Sequence, residues 1–204
     1  MSRPVPIRQD KTRQTRQLIE ECAVRLFAER GYDHVSMAEI AQWANVAPAT
    51  VFNHFPTKDA LIFNGLERFE SGLLDAIVQR NQSDSIPQAF RTYVLAIHGS
   101  LTSNDPDTVR RLRTIAAIID ASPALLSAEQ QIYGHYTDRL ATLIAEDTQQ
   151  SDSLQAWVIA NALMGVHRAL VRYVRTAMLA DASPARVTRE VRRIASVVFA
   201  QLDR

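Results

Sequence analysis

Apolar residues recur along most of this chain at intervals of three and four, the spacing that places side chains on one face of an α-helix. No window alternates apolar and polar residues for long enough to predict a β-strand. Only six glycines and eight prolines interrupt the 204 residues. The pattern therefore predicts an all-α fold.

The first helix is predicted over residues 12–30. Its apolar face runs from Leu18 to Phe27, and Gly31 ends it because glycine readily adopts the left-handed backbone that follows many helices. Basic residues dominate the segment ahead of Glu20, where Asp10 is the single acid and the bases are Arg3, Arg8, Lys11, Arg13 and Arg16. Such a segment is either a basic arm for a polyanion or a solvated tail.

A short second helix is predicted over residues 36–44. Ser36 and Glu39 have the spacing of a capping box, in which each side chain bonds to the backbone amide of the other residue. Asn45 follows at a tight turn, since asparagine tolerates a positive φ better than other residues with a side chain.

A third helix is predicted over residues 48–55, because Pro48 is tolerated in a first turn and Pro56 disfavours helical backbone before it. Thr57 is then expected to cap a longer helix over residues 58–79. Two short helices joined by a three-residue turn follow the plan of a helix-turn-helix, whose second helix enters the major groove of DNA. Similar hairpins occur in helical proteins that bind no DNA, so spacing alone leaves both interpretations open.

The rest of the chain predicts a helical bundle with helices near 87–103, 106–120, 123–147, 152–179 and 184–203. The last helix has one apolar stripe, made of Val187, Val191, Ile194, Val198 and Leu202. The helix before it is apolar nearly all round, so it needs cover on several sides. Other helices of the same chain or a second copy of the chain would provide that cover.

Composition narrows the class of protein. Apolar residues make up 47% and charged residues 22% of the chain, which excludes a disordered polypeptide. The formal net charge of +1 indicates no particular partner. The single cysteine, Cys22, suits a reducing compartment. Neither a signal peptide nor a run of about 18 apolar residues occurs, so we expect a cytoplasmic protein without a membrane span.

Sequence motifs of common enzymes are missing. The chain has no His-Glu-x-x-His, no Glu-x-x-His, no Gly-x-Ser-x-Gly and no glycine-rich phosphate loop. His98, His135 and His167 lie too far apart in the sequence to indicate a metal site. We therefore expect no enzyme activity, no cofactor and no metal. The alternative is a helical enzyme or scaffold that retains a vestigial hairpin.

Several motifs in order resemble the TetR family of transcriptional regulators. They are Leu26-Phe27, Gly31-Tyr32, the run from Val35 to Ala41, Val46, and the run from Thr50 to Leu61. The resemblance covers about the first 62 residues, and beyond it only length and helical character agree. It implies a three-helix DNA-binding domain over residues 1–61 and a ligand-binding and dimerisation domain over residues 62–204.

The resemblance also implies which residues contact DNA: Ser36, Ala47, Pro48, Ala49, Thr50, Phe52, Asn53, His54 and Lys58. Helices that begin at Ser36 and Thr57 would present free amides to phosphate. Thr50 and Asn53 are candidate base readers, through methyl contact with thymine and amide pairing with adenine. Phe52 replaces the family's usual tyrosine. Core packing is a rival role for Phe52, and packing of the hairpin is one for His54.

The implied assembly is a homodimer that pairs its last two helices as a four-helix bundle. Two recognition helices about 34 Å apart fit successive major grooves and read a palindromic operator. Val191 and Val198 are expected in the seam between the two copies. The leading hypothesis is a repressor that a small molecule releases from DNA, and the alternative is a regulator that activates or answers to a protein partner.

Asn161 marks a candidate effector pocket, since its amide interrupts an otherwise apolar stripe of the helix over residues 152–179. A buried amide needs hydrogen-bond partners, which another helix, the second copy or a ligand would supply. The candidate pocket residues are Tyr93, His98, Tyr136, Trp157, Asn161 and Met164. A pocket of this composition predicts an apolar or aromatic effector with one or two polar groups.

Overall fold

The computed structural model describes residues 7–81, 83–100, 105–148 and 153–202, without the side chains of residues 7–10, 98–100, 148 and 202. Within these ranges the chain is helical and contains no β-strand, which confirms the predicted all-α class. The helices are α1 Ile7–Arg30, α2 Met37–Trp43, α3 Pro48–His54, α4 Ala60–Phe63, α5 Leu66–Val78, α6 Ile86–Ser100, α7 Pro106–Ala121, α8 Pro123–Thr148, α9 Ser153–Leu179 and α10 Pro184–Leu202. A 3-10 turn, Tyr32–His34, follows α1.

The predicted capping box at the start of α2 is present. The Glu39 backbone amide donates to Ser36 Oγ at 3.2 Å, and the Ser36 amide donates to Glu39 Oε2 at 2.8 Å. Gly31 and Asn45 adopt positive φ angles of 85° and 51°, as the turns around them require. Local chemistry thus determines where α1 ends and how α2 and α3 are joined.

The prediction of a single long helix over residues 58–79 is wrong. The chain forms α4 and α5, which are separated at Asn64 and Gly65. Thr57 does not cap a helix, because α4 begins later, where the Asp59 carbonyl accepts from the amides of Ile62 and Phe63. This single turn buries Leu61, Ile62 and Phe63, so the demand for core packing determines its position.

Two apolar cores organise the molecule. The core of the N-terminal helices α1–α4, called the head, contains Phe27, Val51 and Phe55 and also receives Ile118 and Ile119 from α7. The larger core belongs to α5–α10, called the bundle, and its members from α6, α8 and α10 include Phe90, Leu140 and Phe199. The head therefore rests on α7 of the bundle rather than standing apart from it.

The buried face of α10 differs from the predicted seam. Val191 is 2% exposed and lies in the bundle core with Val187, Ala195 and Phe199, while Val198 is half-buried. Placing Val191 between two subunits was wrong, because α10 packs against α6 of its own chain, where the Phe90 and Phe199 rings lie 6.0 Å apart. Leu202 of the predicted stripe has its side chain outside the described part of the chain.

One side of α9 is open at its N-terminal end, where Trp157 and Val158 are 49% and 53% exposed. The opposite side carries buried residues such as Ala156 and Leu163. Among the described residues α9 alone is long and apolar enough to cross a bilayer, a property that core helices of soluble proteins share. Its buried side gives it a role in the bundle core.

Candidate DNA-binding surface and internal cavity

Helix α3 has one buried and one exposed face. Val51 and the following Phe55 are fully buried and hold the helix on the head. The exposed face carries most of the predicted groove residues, namely Ala47, Pro48, Ala49, Phe52 and Asn53, with Thr50 half-buried beside them. Phe52 is 51% exposed, which excludes core packing as its role. The two candidate base readers therefore share an accessible surface with Phe52.

The C-terminal end of α3 is held by Arg16, a role that the sequence interpretation missed. Arg16 Nη1 donates to the His54 carbonyl at 2.8 Å, and the guanidinium lies 4.3 Å from the centroid of the Phe55 ring. The two residues joined by the hydrogen bond are 38 positions apart, and no sequence motif relates them. Arg16, which the sequence groups with the basic arm, instead positions the recognition helix.

A chain of ion pairs connects Arg16 with the bundle. Arg16 Nε lies 3.4 Å from Glu20 Oε1, and Arg111 Nη2 of α7 lies 3.4 Å from Glu20 Oε2. We call this arrangement the Glu20 link. It leads from α7 through α1 to the end of α3.

Lys58 is folded against the head. Its Nζ lies 4.1 Å from the centroid of the Tyr32 ring and 5.8 Å from that of Phe27. Burial lowers the pKa of Lys58, and the nearby carboxylates of Asp33 and Glu39 oppose that shift. Burial also raises the pKa of Tyr32 to about 12, so its hydroxyl stays protonated. A cation–π contact of about 0.5–1 kcal/mol is weak enough for a phosphate to compete for the ammonium.

Ser36 is exposed at the start of α2, but its hydroxyl is already engaged. Ser36 Oγ donates to Glu39 Oε2 at 2.8 Å and accepts from the Glu39 amide. These bonds to Ser36 lower the pKa of the Glu39 carboxyl. A phosphate bound there would contact a serine whose hydroxyl already takes part in the helix cap.

A mostly apolar cavity of about 330 Å³ lies between α4 of the head and the helices of the bundle. Its walls come from α4 to α9 and consist of Ile62, Phe63, Gly65, Leu66, Phe69, Ile97, Leu112, Ile115, Ala116, Ile119, Glu129, Tyr133, His167, Val171, Val174, Arg175 and Met178. None of the six predicted pocket residues is among them.

The predicted pocket residues lie elsewhere. Tyr93 is half-buried and donates through Oη to the Phe69 carbonyl at 3.1 Å. Tyr136 and Met164 are buried in the bundle core, whereas Trp157 is on the open side of α9. The side chain of His98 is outside the described residues. These residues are not brought together around the cavity.

Asn161 does not need another helix for its amide. It is half-buried, and its Nδ2 donates to the Trp157 carbonyl of its own helix at 2.9 Å. In the single chain the Asn161 amide is not buried, because this part of α9 faces outward.

Polar groups that the sequence interpretation missed lie in the cavity wall. Arg175 of α9 donates to Glu129 of α8 in a largely buried ion pair. The His167 ring stacks on Phe69 at 4.2 Å between centroids and meets the edge of Tyr133. Glu129 falls on the buried stripe of Leu125 and Tyr133 in α8, a position that a search for charges on apolar faces would have found.

No group of three or more His, Cys, Asp or Glu side chains that could hold a metal ion occurs in the described part of the chain. The arrangement is an exposed helix-turn-helix on a helical bundle that contains a mostly apolar cavity. It defines a class of DNA-binding proteins whose second domain is helical.

Residues 19–64 match the family model "Bacterial regulatory proteins, tetR family". Over 171 residues the chain is 28% identical to the HTH-type transcriptional regulator TcmR of Streptomyces glaucescens. The aligned region covers 81% of this chain and 75% of TcmR. Its fold is also that of NalD, the secondary repressor of the MexAB-OprM multidrug efflux pump in Pseudomonas aeruginosa. The TM-score is 0.56 at 18% identity, and the superposition covers 93% of this chain and 97% of the NalD chain. The structure of a SmeT–triclosan complex is similar too, with a TM-score of 0.58 at 19% identity. This superposition covers 92% of this chain and 91% of the SmeT chain.

Residues 19–64 therefore form a TetR-type helix-turn-helix domain, and over most of its length the chain is similar to helix-turn-helix transcriptional regulators. Regulators of the TetR family bind DNA, dimerise and bind small-molecule effectors, and they are not enzymes. The relatives that match are transcriptional regulators, which does not favour the alternative of a helical enzyme or scaffold with a vestigial hairpin.

Proposed function

We propose that this protein is a cytoplasmic, homodimeric repressor that leaves a palindromic operator when a small molecule fills the cavity of about 330 Å³. The observation that carries this proposal is a set of residues shared by two sites. Ile62, Phe63 and Ile119 are buried in the core of the head and also line the cavity. A molecule in the cavity would therefore touch side chains that position the DNA-binding helices.

The coupling follows from α7, which faces both sites. Ile115 and Ala116 line the cavity, while Ile118 packs in the core of the head. Arg111 of the same helix joins the Glu20 link. A ligand releases DNA only when it binds more tightly to the geometry that does not fit the operator. We infer that a bound ligand holds α7 in a position that does not let the two recognition helices fit the operator.

The DNA-contacting residues are proposed as the sequence predicts them. Thr50 and Asn53 would read bases from the exposed face of α3, while Ser36, His54 and Lys58 would contact the phosphate backbone. For Lys58 this requires its ammonium to leave the Tyr32 ring. Phe52 and the Ala47–Ala49 segment would pack against the groove wall, because their accessible side chains offer no hydrogen-bond donors.

The open sides of α9 and α10 support the proposed dimer. Trp157 and Val158 on α9 and Val197 on α10 are about half exposed, although large apolar side chains are normally covered. Pairing these two helices with those of a second copy would bury all three. Two-fold symmetry would then place one recognition helix on each half of a palindrome.

Selection of bound duplexes from random DNA tests the proposal. The full-length protein should enrich a palindrome whose half-sites are about one helical turn, or a multiple of it, apart. Adding a small-molecule collection to the enriched complex should identify compounds that release the DNA. Enrichment of no sequence would contradict operator binding, and a complex that no cavity-binding compound releases would contradict ligand-responsive repression.

A further inference from the structure

An ion pair in the cavity wall carries the inference. The side chains of Arg175 and Glu129 are only 12% and 9% exposed. Burying such a pair is a poor way to stabilise a protein, because apolar residues of similar size are often at least as favourable. Stability therefore does not explain the pair, and ligand binding is the role that we consider for it.

Both members of the pair have hydrogen-bonding capacity left over. A guanidinium has five N–H groups, and within the described residues Arg175 donates to Glu129 Oε1 through Nη2 alone. Glu129 Oε2 accepts no hydrogen bond from the described residues either. A donor and an acceptor thus lie side by side in the wall of the cavity.

The charges in the wall disfavour a charged ligand. Arg175 and Glu129 carry opposite charges that cancel. Burial raises the pKa of Tyr133, so its hydroxyl stays protonated and adds no charge. A ligand with a net charge would lose its hydration in this largely apolar space without gaining an uncompensated counterion.

The remaining walls suit a small ring system. Leu112, Ile115, Val171 and Met178 are apolar, and Phe69 lies among them with His167 stacked on it. The volume of about 330 Å³ is at the small end of the range for ligand pockets, which begins near 300 Å³. One or two fused rings fit this space better than an extended molecule.

We propose that the effector is a small, uncharged, ring-containing molecule with a hydroxyl or similar group that accepts a hydrogen bond from Arg175 and donates one to Glu129. A phenol has this chemistry. The inference rests on the proposed function, because it identifies the kind of molecule that fills the cavity.

Four probes that share one ring system test the inference: naphthalene and three derivatives substituted at the same ring carbon, namely naphthol, naphthoate and naphthylmethylammonium. Calorimetric titration of the full-length protein near neutral pH measures each dissociation constant. Naphthol should bind about tenfold more tightly than naphthalene, since it adds hydrogen bonds to charged groups. It should also bind more tightly than either charged probe.

Two variants change the charge of the wall. Glu129→Gln leaves the charge of Arg175 uncompensated and should make naphthoate the tightest of the four probes. Arg175→Gln leaves Glu129 alone and should shift the preference toward the ammonium probe. Arg193→Gln is the matched control, because Arg193 pairs with Glu190 on the exposed surface of α10. It should keep the wild-type order.

If either cavity variant fails to fold, as circular dichroism would reveal, the order of the four probes on the wild-type protein still decides. A charged probe that binds as tightly as naphthol overturns the inference, and so does the absence of binding by all four. An unchanged order in folded Glu129→Gln and Arg175→Gln proteins overturns the roles of these residues.

Displacement of operator DNA is measured separately. Probes that bind in the expected order without releasing DNA would support the ligand class and contradict the proposed repression mechanism. Release of DNA by the charged probes at least as readily as by naphthol would support the mechanism and overturn the ligand class.

Discussion

The head and the bundle place their polar chemistry on opposite sides of their cores. In the head, Val51 and Phe55 fill the interior, so Thr50 and Asn53 of the same short helix are accessible to a large partner. In the bundle, Glu129 and Arg175 lie within the walls, where only a small molecule reaches them. Neighbours in sequence build the first surface, whereas separate helices build the second. The two regions should therefore respond differently to similar substitutions.

The largest expected effect comes from a matched pair of core variants, Phe55→Ala in the head and Phe90→Ala in the bundle. Both side chains are fully buried, so each change should lower the free energy of unfolding by about 3–5 kcal/mol. Denaturant unfolding followed by circular dichroism measures this. Phe55→Ala should lose operator binding at temperatures where the bundle stays folded. A loss below about 1 kcal/mol in either variant would contradict the packing described for that core.

A second variant tests the open side of the bundle. Val158→Glu should raise the dimer dissociation constant at least about 100-fold, because it places an unpaired charge in the proposed apolar interface. Sedimentation measures the change. Leu18→Glu is the control, since Leu18 is a similarly exposed apolar residue of the head and should leave the dimer intact. Equal dimerisation of both variants would eliminate the α9 face as the interface.

Substitutions on the recognition surface should separate sequence reading from backbone contact. Asn53→Ala or Thr50→Ala should cost about 1–3 kcal/mol on the preferred operator and alter the preferred bases. Lys58→Ala should weaken binding to all sequences and reduce the salt slope by about one. Binding titrations at several salt concentrations distinguish the two patterns. If Lys58→Ala binds as the wild type does, the ammonium stays with the Tyr32 ring when DNA is bound.

The position of α3 offers a smaller effect. Arg16→Ala should reduce operator affinity by about 1–2 kcal/mol without changing the preferred sequence, because the His54 carbonyl loses its charged donor. Fluorescence anisotropy with the enriched operator and a scrambled duplex measures both properties. Arg25→Ala is the control on the same helix, since Arg25 pairs locally with Glu29. An altered base preference in Arg16→Ala would mean that Arg16 itself reads DNA.

The smallest expected effect belongs to the Glu20 link. Glu20→Gln should change stability by about 0.2–1 kcal/mol, as expected for a partly exposed ion pair. Operator affinity without ligand should stay within about fivefold of wild type by the same argument. The ligand concentration needed for half release should rise, because α7 loses one connection to α1. If the release curve is unchanged, the coupling between the cavity and the head depends on the shared apolar residues alone.

The sequence predicted best those features that depend on neighbouring residues. The capping box of Ser36 and Glu39 and the turn at Asn45 are local, and the structure confirms both. The cap at Thr57 failed because burial of Leu61 to Phe63 moved the helix start, a demand of the whole head rather than of the turn.

Long-range features escaped the sequence for a different reason. Arg175 and Glu129 are separated by 46 positions, and each sits on a long helix whose rotation is set by packing. Trp157 and Asn161 were placed in a pocket because an apolar helix suggests enclosure, yet that side of α9 is open in the single chain. The boundary between residues 61 and 62 stays a prediction, and the sharing of Ile62 and Phe63 by head and cavity shows why a sharp division is hard to draw.

That sharing also constrains how such a sensor acquires new specificities over evolutionary time. A substitution at Ile62, Phe63 or Ile119 reshapes the cavity but also disturbs the packing beneath the recognition helix. Leu112, Val171 and Met178 line the cavity without belonging to the core of the head. Changes at these positions can alter ligand preference while the operator is still recognised. Variation that produces new sensors from this scaffold should therefore accumulate at Leu112, Val171 and Met178, whereas Ile62, Phe63 and Ile119 should stay nearly fixed.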